Sequence, residues 1–346
     1  MMSCRNDQDK KKSDFKRALF PLLLVTLLMA GCATGAAETA VPETSISVQF
    51  SWFGTIEFAG FYAAIEHGYY AQENLDVQLL EGGFDDSGAY IDPVEKVLAG
   101  EADLGIFNAE SLILARAAGK PVVALAAIYQ RNPTVLFSLA QENIRTPQDL
   151  VGKRSGVSFG SDDIVFTALL HSQGIAASEV TMVPADPSLN ALLAGEVDAQ
   201  MGFVTNEPVL LRQQGHEVNL ILPSDYGIDL YSNLIFTSED LVDKEPGLVT
   251  RFLQATLHGY EEAMNDPDHA AQLSVQHNPE LDFEVELASM QASLPLLRPA
   301  GSVPGMMTTE SWQAAHQFML DQGLLEQPID IGEVYDLSFL NEIYGQ

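Results

Sequence analysis

The chain has 346 residues, enough for two ordinary lobes, and it carries 17 Lys and Arg against 48 Asp and Glu, a formal net charge of −31. This balance excludes nucleic acid as an expected partner, because phosphate binding needs clustered Lys and Arg. The two cysteines, Cys4 and Cys32, lie near the N-terminus, so we expect neither a disulfide nor a thiol nucleophile in the rest of the chain.

The N-terminal segment has the pattern of an export signal. A basic region with six Lys and Arg precedes an uncharged run of 13 residues over 18–30, which is too short to span a bilayer comfortably. The run ends in LMAGC at 28–32, which resembles a bacterial lipobox. We therefore expect a lipoprotein signal peptide over residues 1–31, a lipid on Cys32 and a tether over 32–44. An ordinary secretory signal with an incidental cysteine is the alternative.

Strands and helices alternate after the tether. Alternating apolar residues or short apolar runs predict strands over 46–50, 75–79, 104–107 and 122–128. Helical patterns that end at glycine or begin with proline predict helices over 58–67, 93–99 and 111–118. A turn-rich loop at 82–88 separates the second strand from the second helix.

A second group of elements follows an apolar extended segment at 135–139. It contains predicted strands at 180–183 and 218–222, and a further extended segment lies at 233–236. From residue 241 onward the pattern is helical, with breaks at prolines. Strands that alternate with helices predict parallel sheets. We interpret 135–139 and 233–236 as two crossings that form a hinge between the lobes.

One phrase occurs twice, 95 residues apart. LAGEAD at 98–103 recurs as LAGEVD at 193–198, and each copy leads through an apolar run into an Asn/Glu loop, NAE at 108–110 and TNE at 205–207. Ligands of open α/β sheets bind outside the carboxyl ends of strands, so two such ends facing each other would form a cleft. The alternative is that the phrase is only a common way to end a helix at glycine.

Candidate ligand-binding residues follow from this cleft, since a binding site needs aromatic surfaces and a few convergent polar groups. Core packing of each aromatic side chain, and a helix N-terminal preference of Glu110 and Glu207, are the alternatives. Little positive charge accompanies the candidates, so we expect a neutral, hydrogen-bond-donating ligand rather than sulfonate, nitrate or phosphate. The candidates are Trp52, Phe53, Glu57, Asn108, Glu110, Tyr129, Gln130, Ser158, Asn206, Glu207, Tyr226, Asp229 and Tyr231.

One pattern could indicate other chemistry. GVSFG at 156–160 matches the nucleophile elbow of hydrolases, although none of the later histidines has a distinctive setting. The chain has no H-E-x-x-H motif and no Cys/His cluster, so we expect no metal, no cofactor and no catalytic residues.

Several segments together resemble the NMT1/THI5-like family over about residues 45–265. They are FSWF at 50–53, EFAGFYAA at 57–64, GYY at 68–70, GEADLGI at 100–106, IYQ at 128–130, TPQDLVGK at 146–153 and NEP at 206–208. The resemblance implies an α/β, two-lobe type II periplasmic binding protein fold with hinge crossings and a central cleft. We assign residues 45–140 and 233–346 to lobe 1 and residues 141–232 to lobe 2.

The resemblance also implies a function. Bacterial members are periplasmic binding proteins for thiamin pyrimidine precursors, with a riboflavin-binding lipoprotein branch nearby, and they pass ligand to an ABC permease and its ATPase. We expect a monomer held by its lipid on the outer face of the cell membrane that binds a flat heteroaromatic vitamin. Riboflavin is favoured over a pyrimidine, because the 82–88 loop is longer than expected for pyrimidine binders.

Enzymes form the alternative class. Eukaryotic members of the family consume their own histidine to build a pyrimidine, and they carry a cysteine-rich motif. Here Phe58 stands where that histidine is expected, and no cysteine follows Cys32. Both departures argue against a pyrimidine synthase, and an esterase is the remaining enzymatic alternative.

Overall fold

Ten strands form two five-stranded sheets in the part of the chain that the computed structural model describes, residues 43–158 and 161–345. The predicted signal peptide, Cys32 and nearly all of the tether lie outside the described residues. The strands are β1 (Thr44–Gln49), β2 (Leu75–Leu80), β3 (Leu104–Phe107), β4 (Val122–Tyr129), β5 (Thr134–Leu139), β6 (Arg154–Val157), β7 (Thr181–Pro184), β8 (Ala199–Phe203), β9 (Val218–Ile221) and β10 (Ser232–Ser238).

The two sheets have the same topology. The first has the order β2-β1-β3-β10-β4 and the second the order β7-β6-β8-β5-β9. In each sheet the first three strands are parallel and the fourth is antiparallel to both of its neighbours. The predicted α/β organisation is therefore confirmed, with one antiparallel strand in each sheet that the pattern did not indicate.

Helices connect and cover the strands. Six of them follow β10 and account for most of the C-terminal third of the described chain. They are α1 (Ala59–Glu66), α2 (Tyr69–Gln72), α3 (Pro93–Leu98), α4 (Ala109–Ala117), α5 (Ser161–Ser172), α6 (Asn190–Leu193), α7 (Glu207–Gln213), α8 (Glu239–Lys244), α9 (Pro246–Asn265), α10 (Pro267–His277), α11 (Phe283–Leu297), α12 (Thr309–Asp321) and α13 (Ser338–Tyr344). No helix in the described ranges combines the length and the apolar character that a membrane span requires.

The repeated phrase has the same structure in both copies. Its glycine has a positive φ, 71° in the first copy and 70° in the second, which favours glycine after a helix end. Its aspartate accepts a backbone hydrogen bond from the neighbouring parallel strand: Ser47 N to Asp103 Oδ2 is 2.7 Å, and Arg154 N to Asp198 Oδ2 is 2.8 Å. The phrase thus positions β3 and β8 at equivalent places in the two sheets.

The prediction that the chain crosses between the sheets in the two extended segments is wrong. Residues 135–139 belong to β5, an inner strand of the second sheet, and residues 233–236 belong to β10, an inner strand of the first. Both are buried on both faces, which is typical of inner strands and explains their continuous apolar pattern. The chain passes between the sheets at 130–133 and 222–231. β5 therefore belongs to the second sheet, although the predicted boundary at residue 140 assigned it to lobe 1.

Close packing at two places fixes the helices around the first sheet. Gly60 of α1 and Gly259 of α9 lie against each other, where a Cβ on either would overlap the facing helix. The outer edge of β4 is covered by residues 283–345, which we call the C-terminal segment. Ala124 N donates to Val334 O at 2.8 Å, and Ala127 N donates to Gly305 O at 2.9 Å. Every residue of β4 is consequently buried.

Candidate functional site

A cavity lies at the carboxyl ends of β3 and β8. Its empty volume is about 750 Å³, part of it open to solvent, which falls within the range of small-molecule sites. The lining comes from both sheets. It consists of Ser51, Trp52, Glu57, Tyr90, Phe107, Asn108, Ser158, Asp162, Ala185, Pro187, Gln200, Met201, Gly202, Phe203, Asn206, Glu207 and Asn233.

The structure brings part of the predicted set together. Both Asn/Glu loops that follow the repeated phrase reach this one cavity, as the strand-end argument predicted. Their role in ligand binding stays a prediction. The predicted residues in the lining are Trp52, Glu57, Asn108, Ser158, Asn206 and Glu207.

Tyr129 and Gln130 do not line the cavity. Tyr129 is fully buried, and its hydroxyl lies 3.0 Å from Ser293 Oγ. Gln130 Nε2 donates to Leu297 O at 3.1 Å and Val303 O at 2.6 Å. Both side chains therefore tie β4 to the C-terminal segment, which covers that strand.

The other predicted residues that do not line the cavity are either packed within the protein or exposed on its surface. Phe53 is 39% exposed, and Glu110 is buried in the first turn of α4. Tyr226 is half-buried against the core, and Asp229 is exposed on the second crossing, where its Oδ1 accepts from Asn132 N at 3.3 Å. Tyr231 is buried and accepts a hydrogen bond from Thr308 N at 3.0 Å. Asp229 and Tyr231 of the second crossing thus contact other segments of the protein. The sequence of the crossing does not distinguish such structural contacts from ligand contacts.

The first sheet contributes an aromatic wall, which we define as Trp52, Tyr90 and Phe107. The Tyr90 hydroxyl donates to Ser51 O at 3.0 Å and so fixes its ring beside the β1 end. Tyr90 and Phe107 are stacked with centroids 6.4 Å apart. Outside the cavity, Phe84 of the 81–90 loop packs edge-on against Trp52 at 5.6 Å. These contacts hold the rings in place before a ligand arrives.

Glu57 joins the aromatic wall to an amide network. Its Oε2 accepts from Asn233 Nδ2 at 2.8 Å, and its Oε1 accepts from Thr55 Oγ1 at 3.1 Å. Asn233 N in turn donates to Asn108 Oδ1 at 3.0 Å. The three cavity side chains Glu57, Asn108 and Asn233 are thus held as one unit, although they come from three separate segments.

The second sheet contributes carboxyl and amide groups. Glu207 turns back over the end of β8, where its Oε2 accepts from Phe203 N at 2.9 Å. A Cβ at Gly202 would lie 2.5 Å from that Oε2, so only glycine leaves room for this placement. Gln200 is 2% exposed, and its Nε2 donates to Asp186 O at 3.2 Å.

Three carboxyl groups reach the cavity, and we call Glu57, Asp162 and Glu207 the carboxyl cluster. Burial raises the pKa of Glu57 to about 7, against the opposing effect of its bonds from Asn233 and Thr55. Burial and the neighbouring Glu207 raise the pKa of Asp162 to about 7, against a bond from Ser158. Burial also raises the pKa of Glu207 to about 7, and the charge of Glu57 adds to it. No Lys, Arg or His stands among the described lining residues to balance them.

Several lining residues were missed by the sequence analysis. Phe107 and Gln200 lie within predicted apolar runs, where a cavity-facing side chain has no distinct signal. Asn233 was interpreted only as part of a crossing, although its φ of 48° departs from strand geometry. Tyr90 follows the 82–88 loop, and Asp162 follows the GVSFG turn. The position of Asp162 next to a recognised motif was the one available signal.

A family model described as NMT1/THI5 like matches residues 55–270. The riboflavin-binding protein RibY of Chloroflexus aurantiacus is 29% identical over 92% of this chain and 96% of its own length. The formylaminopyrimidine-binding protein of Halalkalibacterium halodurans is 27% identical over 90% of this chain and 95% of its own. At lower identity, 24% over 86% of this chain and 93% of its own, stands a 4-amino-5-hydroxymethyl-2-methylpyrimidine phosphate synthase of Legionella pneumophila.

A solved structure shows the same fold. The alkanesulfonate-binding protein SsuA of Xanthomonas axonopodis pv. citri superposes with a TM-score of 0.67 at 17% identity, over 86% of this chain and 99% of its own. The predicted two-lobe periplasmic binding protein fold is therefore confirmed. At that identity the likeness concerns the fold and not the ligand.

Proposed function

This chain belongs to the NMT1/THI5-like family, and on that premise we propose that it is the substrate-binding protein of an ABC importer for a flat heteroaromatic vitamin. Its mechanism is binding without chemistry: ligand enters the cavity, and the two lobes close around it by bending at 130–133 and 222–231. The closed form then presents a surface to the permease and its ATPase.

The observation that carries this proposal is the composition of the cavity. Rigid rings of the aromatic wall offer a plane on which a heterocycle can stack, with about 0.5–1.5 kcal/mol per ring pair beyond area burial. Carboxyl and amide oxygens across the cavity can accept hydrogen bonds from N–H and O–H groups at the edge of the heterocycle. A negatively charged ligand would meet the carboxyl cluster without a described basic partner in the lining, so sulfonates and phosphates are disfavoured.

Riboflavin fits this composition better than a thiamin pyrimidine. Four aromatic side chains line the cavity, the aromatic wall and Phe203, which is more ring surface than a single pyrimidine ring can cover. Riboflavin has a planar three-ring system, a ring N–H and several ribityl hydroxyl groups, all without charge. These donors match the surplus of acceptors in the lining. The relative named for riboflavin binding supports this choice, and the relative named for formylaminopyrimidine binding supports the alternative.

The surroundings of Phe58 argue against the synthase alternative. Phe58, at the position expected for the consumed histidine, is fully buried and stacks on Phe50 with centroids 3.9 Å apart. A core ring there leaves no place for a reactive imidazole. The described lining has no histidine or cysteine either, so Ser158 lacks the histidine base of the usual esterase mechanism.

Purified protein tests the ligand directly. Protein purified from its native host is expected to show the visible absorbance of bound flavin, and calorimetry on stripped protein is expected to give a Kd for riboflavin well below millimolar. Tight binding of an aminopyrimidine with no binding of riboflavin would select the alternative ligand. Failure of both compounds to bind below the millimolar range would contradict the ligand class.

Anchoring is a separate part of the proposal, because Cys32 lies outside the described residues. The basic region, the short apolar run and the Ala-Gly-Cys sequence support lipidation of that thiol. Cys32→Ala is expected to move the protein from the membrane fraction to the soluble exported fraction in cells of the source type. Unchanged fractionation of this variant would contradict lipid anchoring without affecting the ligand proposal.

A further inference from the structure

We propose that the cavity exchanges protons for its ligand: N–H and O–H donors of the ligand replace protons held on the carboxyl cluster, and binding therefore releases protons to the solvent. Each exchange converts one neutral carboxyl group into a carboxylate that accepts a hydrogen bond from the ligand. The inference rests on the proposed function, since it takes riboflavin as the donor-rich ligand. It adds that capture is favoured at neutral to alkaline pH and release at acidic pH.

The geometry brings three carboxyl groups from separate elements into one volume. Glu57 comes from the 3-10 helix Ile56–Phe58 of the first lobe, whereas Asp162 and Glu207 come from α5 and α7 beside the second sheet. Their described partners are neutral: Asn233 and Thr55 for Glu57, Ser158 for Asp162, and backbone N–H groups for Glu207. Three ionised groups so placed repel one another, so the empty cavity favours the protonated forms.

A second observation points to a donor-rich ligand at the same place. Gln200 lines the cavity and is 2% exposed, and its Oε1 has no hydrogen-bond partner among the described residues. Its Nε2 is already committed to Asp186 O, which fixes the amide with its oxygen unpaired. A buried acceptor without a donor is unfavourable, and a ligand N–H or O–H would satisfy it.

Among the described residues, the groups whose charge is coupled to the carboxyl cluster are not cationic. Burial accounts for most of the raised pKa values of its members, and the groups that act on them or feel their charge are acidic or phenolic. These groups are Glu286, Asp163, Tyr62, Tyr90, Tyr129 and Tyr260. In the empty cavity the pKa values of the cluster lie at about 7. Near neutral pH, a proton that the ligand displaces from one of these carboxyl groups is therefore expected to pass to the solvent.

The sign of the effect follows from which form the ligand prefers. Hydrogen bonds donated to a carboxylate favour the ionised form, so binding lowers the pKa of the group that accepts them. Around pH 7 the bound state then holds fewer protons than the empty state, and affinity rises with pH. Above about pH 8 the empty cavity is already ionised, so the effect ends there.

Isothermal calorimetry with riboflavin at pH 7, in phosphate and in imidazole buffer, measures the exchange. The binding enthalpy is expected to differ between the buffers as their ionisation enthalpies do, corresponding to release of about one proton per ligand. The Kd is expected to fall about tenfold from pH 6 to pH 8 if one carboxyl group ionises. Riboflavin binding with a buffer-independent enthalpy, or with proton uptake, would overturn the proton exchange and leave the proposed function standing.

Amide variants locate the exchange in the carboxyl cluster. Glu207→Gln and Asp162→Asn keep the size of each side chain, and at least one of them is expected to reduce proton release and flatten the pH dependence. Glu326→Gln is the matched control, since Glu326 is exposed and outside the lining, and it is expected to behave like the wild type. Full proton release in both of these variants and in Glu57→Gln would place the exchange outside the carboxyl cluster and overturn the proposal. Failure of riboflavin itself to bind would remove the proposed ligand, and this inference with it.

Discussion

The two sides of the cavity are built on the same strand order but carry different chemistry. The first sheet presents the aromatic wall, and the second presents Asp162, Gln200 and Glu207. The repeated phrase and its aspartate bond set the backbone of both sides alike, whereas the side chains that follow differ. The repeat thus determines where the two loops meet. Three of the four lining rings lie on the first side, and two of the three carboxyl groups lie on the second.

Removal of a ring from the aromatic wall is expected to have the largest effect on binding. Trp52→Ala removes stacking area and the aromatic interaction, about 1–3 kcal/mol together. By affinity arithmetic this weakens riboflavin binding about 5- to 150-fold, measurable by calorimetry. The neighbouring Phe53→Ala is the control, since Phe53 is exposed outside the lining. Equal losses in the two variants would contradict the assignment of Trp52 to the ligand.

The carboxyl side of the cavity is expected to make the ligand-free protein less stable as pH rises. A carboxyl group whose pKa is raised in the fold favours folding below its ordinary pKa, and this contribution is lost as pH rises through about 7. The unfolding free energy of the wild type is expected to fall between pH 5 and pH 8. In Glu207→Gln this fall is expected to be smaller by about 1–2 kcal/mol, a figure that allows for the partial exposure of the side chain. Urea unfolding at both pH values measures this. An unchanged pH dependence would contradict it.

A smaller effect is expected from the unpaired amide oxygen of the second sheet. Gln200→Leu removes the acceptor while keeping most of the side-chain volume, and a hydrogen bond of this kind contributes about 0.5–1.5 kcal/mol. Riboflavin binding should weaken about 2- to 12-fold. Gln214→Leu, at an exposed position of the same lobe, provides the matched control. Unaltered affinity in Gln200→Leu would show that Gln200 Oε1 does not meet the ligand.

Tyr129 lies outside the cavity and is expected to affect stability but not binding. Tyr129→Phe removes the contact with Ser293 but leaves the ring, so unfolding free energy is expected to drop by about 0.5–1.5 kcal/mol. Riboflavin affinity is expected to stay at the wild-type value, because the ring does not line the cavity. Chemical denaturation and calorimetry together test this. A loss of affinity at full stability would return Tyr129 to the ligand site.

The sequence predicted those features that depend on local patterns. The strand-end loops at Asn108 and at Asn206–Glu207 could be placed because the repeated phrase and the parallel-sheet rule are both local. The burial of Tyr129 could not be predicted, because it depends on the C-terminal segment: Ser293, which its hydroxyl contacts, lies 164 residues later in the chain. Gln200 and Asn233 were missed for a related reason: alternation along a strand does not show which face meets a cavity and which meets a helix.

The position of β10 between β3 and β4 has a consequence for folding during synthesis. Tyr129 and Ser232 border the interval that forms the second sheet, so the first sheet lacks its fourth strand until residue 238 has left the ribosome. Until then the edges of β3 and β4 that β10 will occupy are unpaired. When β10 pairs with them, the chain between β4 and β10, which contains the whole second sheet, is closed into a loop. A chain whose first half cannot finish folding on its own stays open during most of its translation. Such a delay is compatible with the proposed export, in which the polypeptide would cross a membrane before it folds.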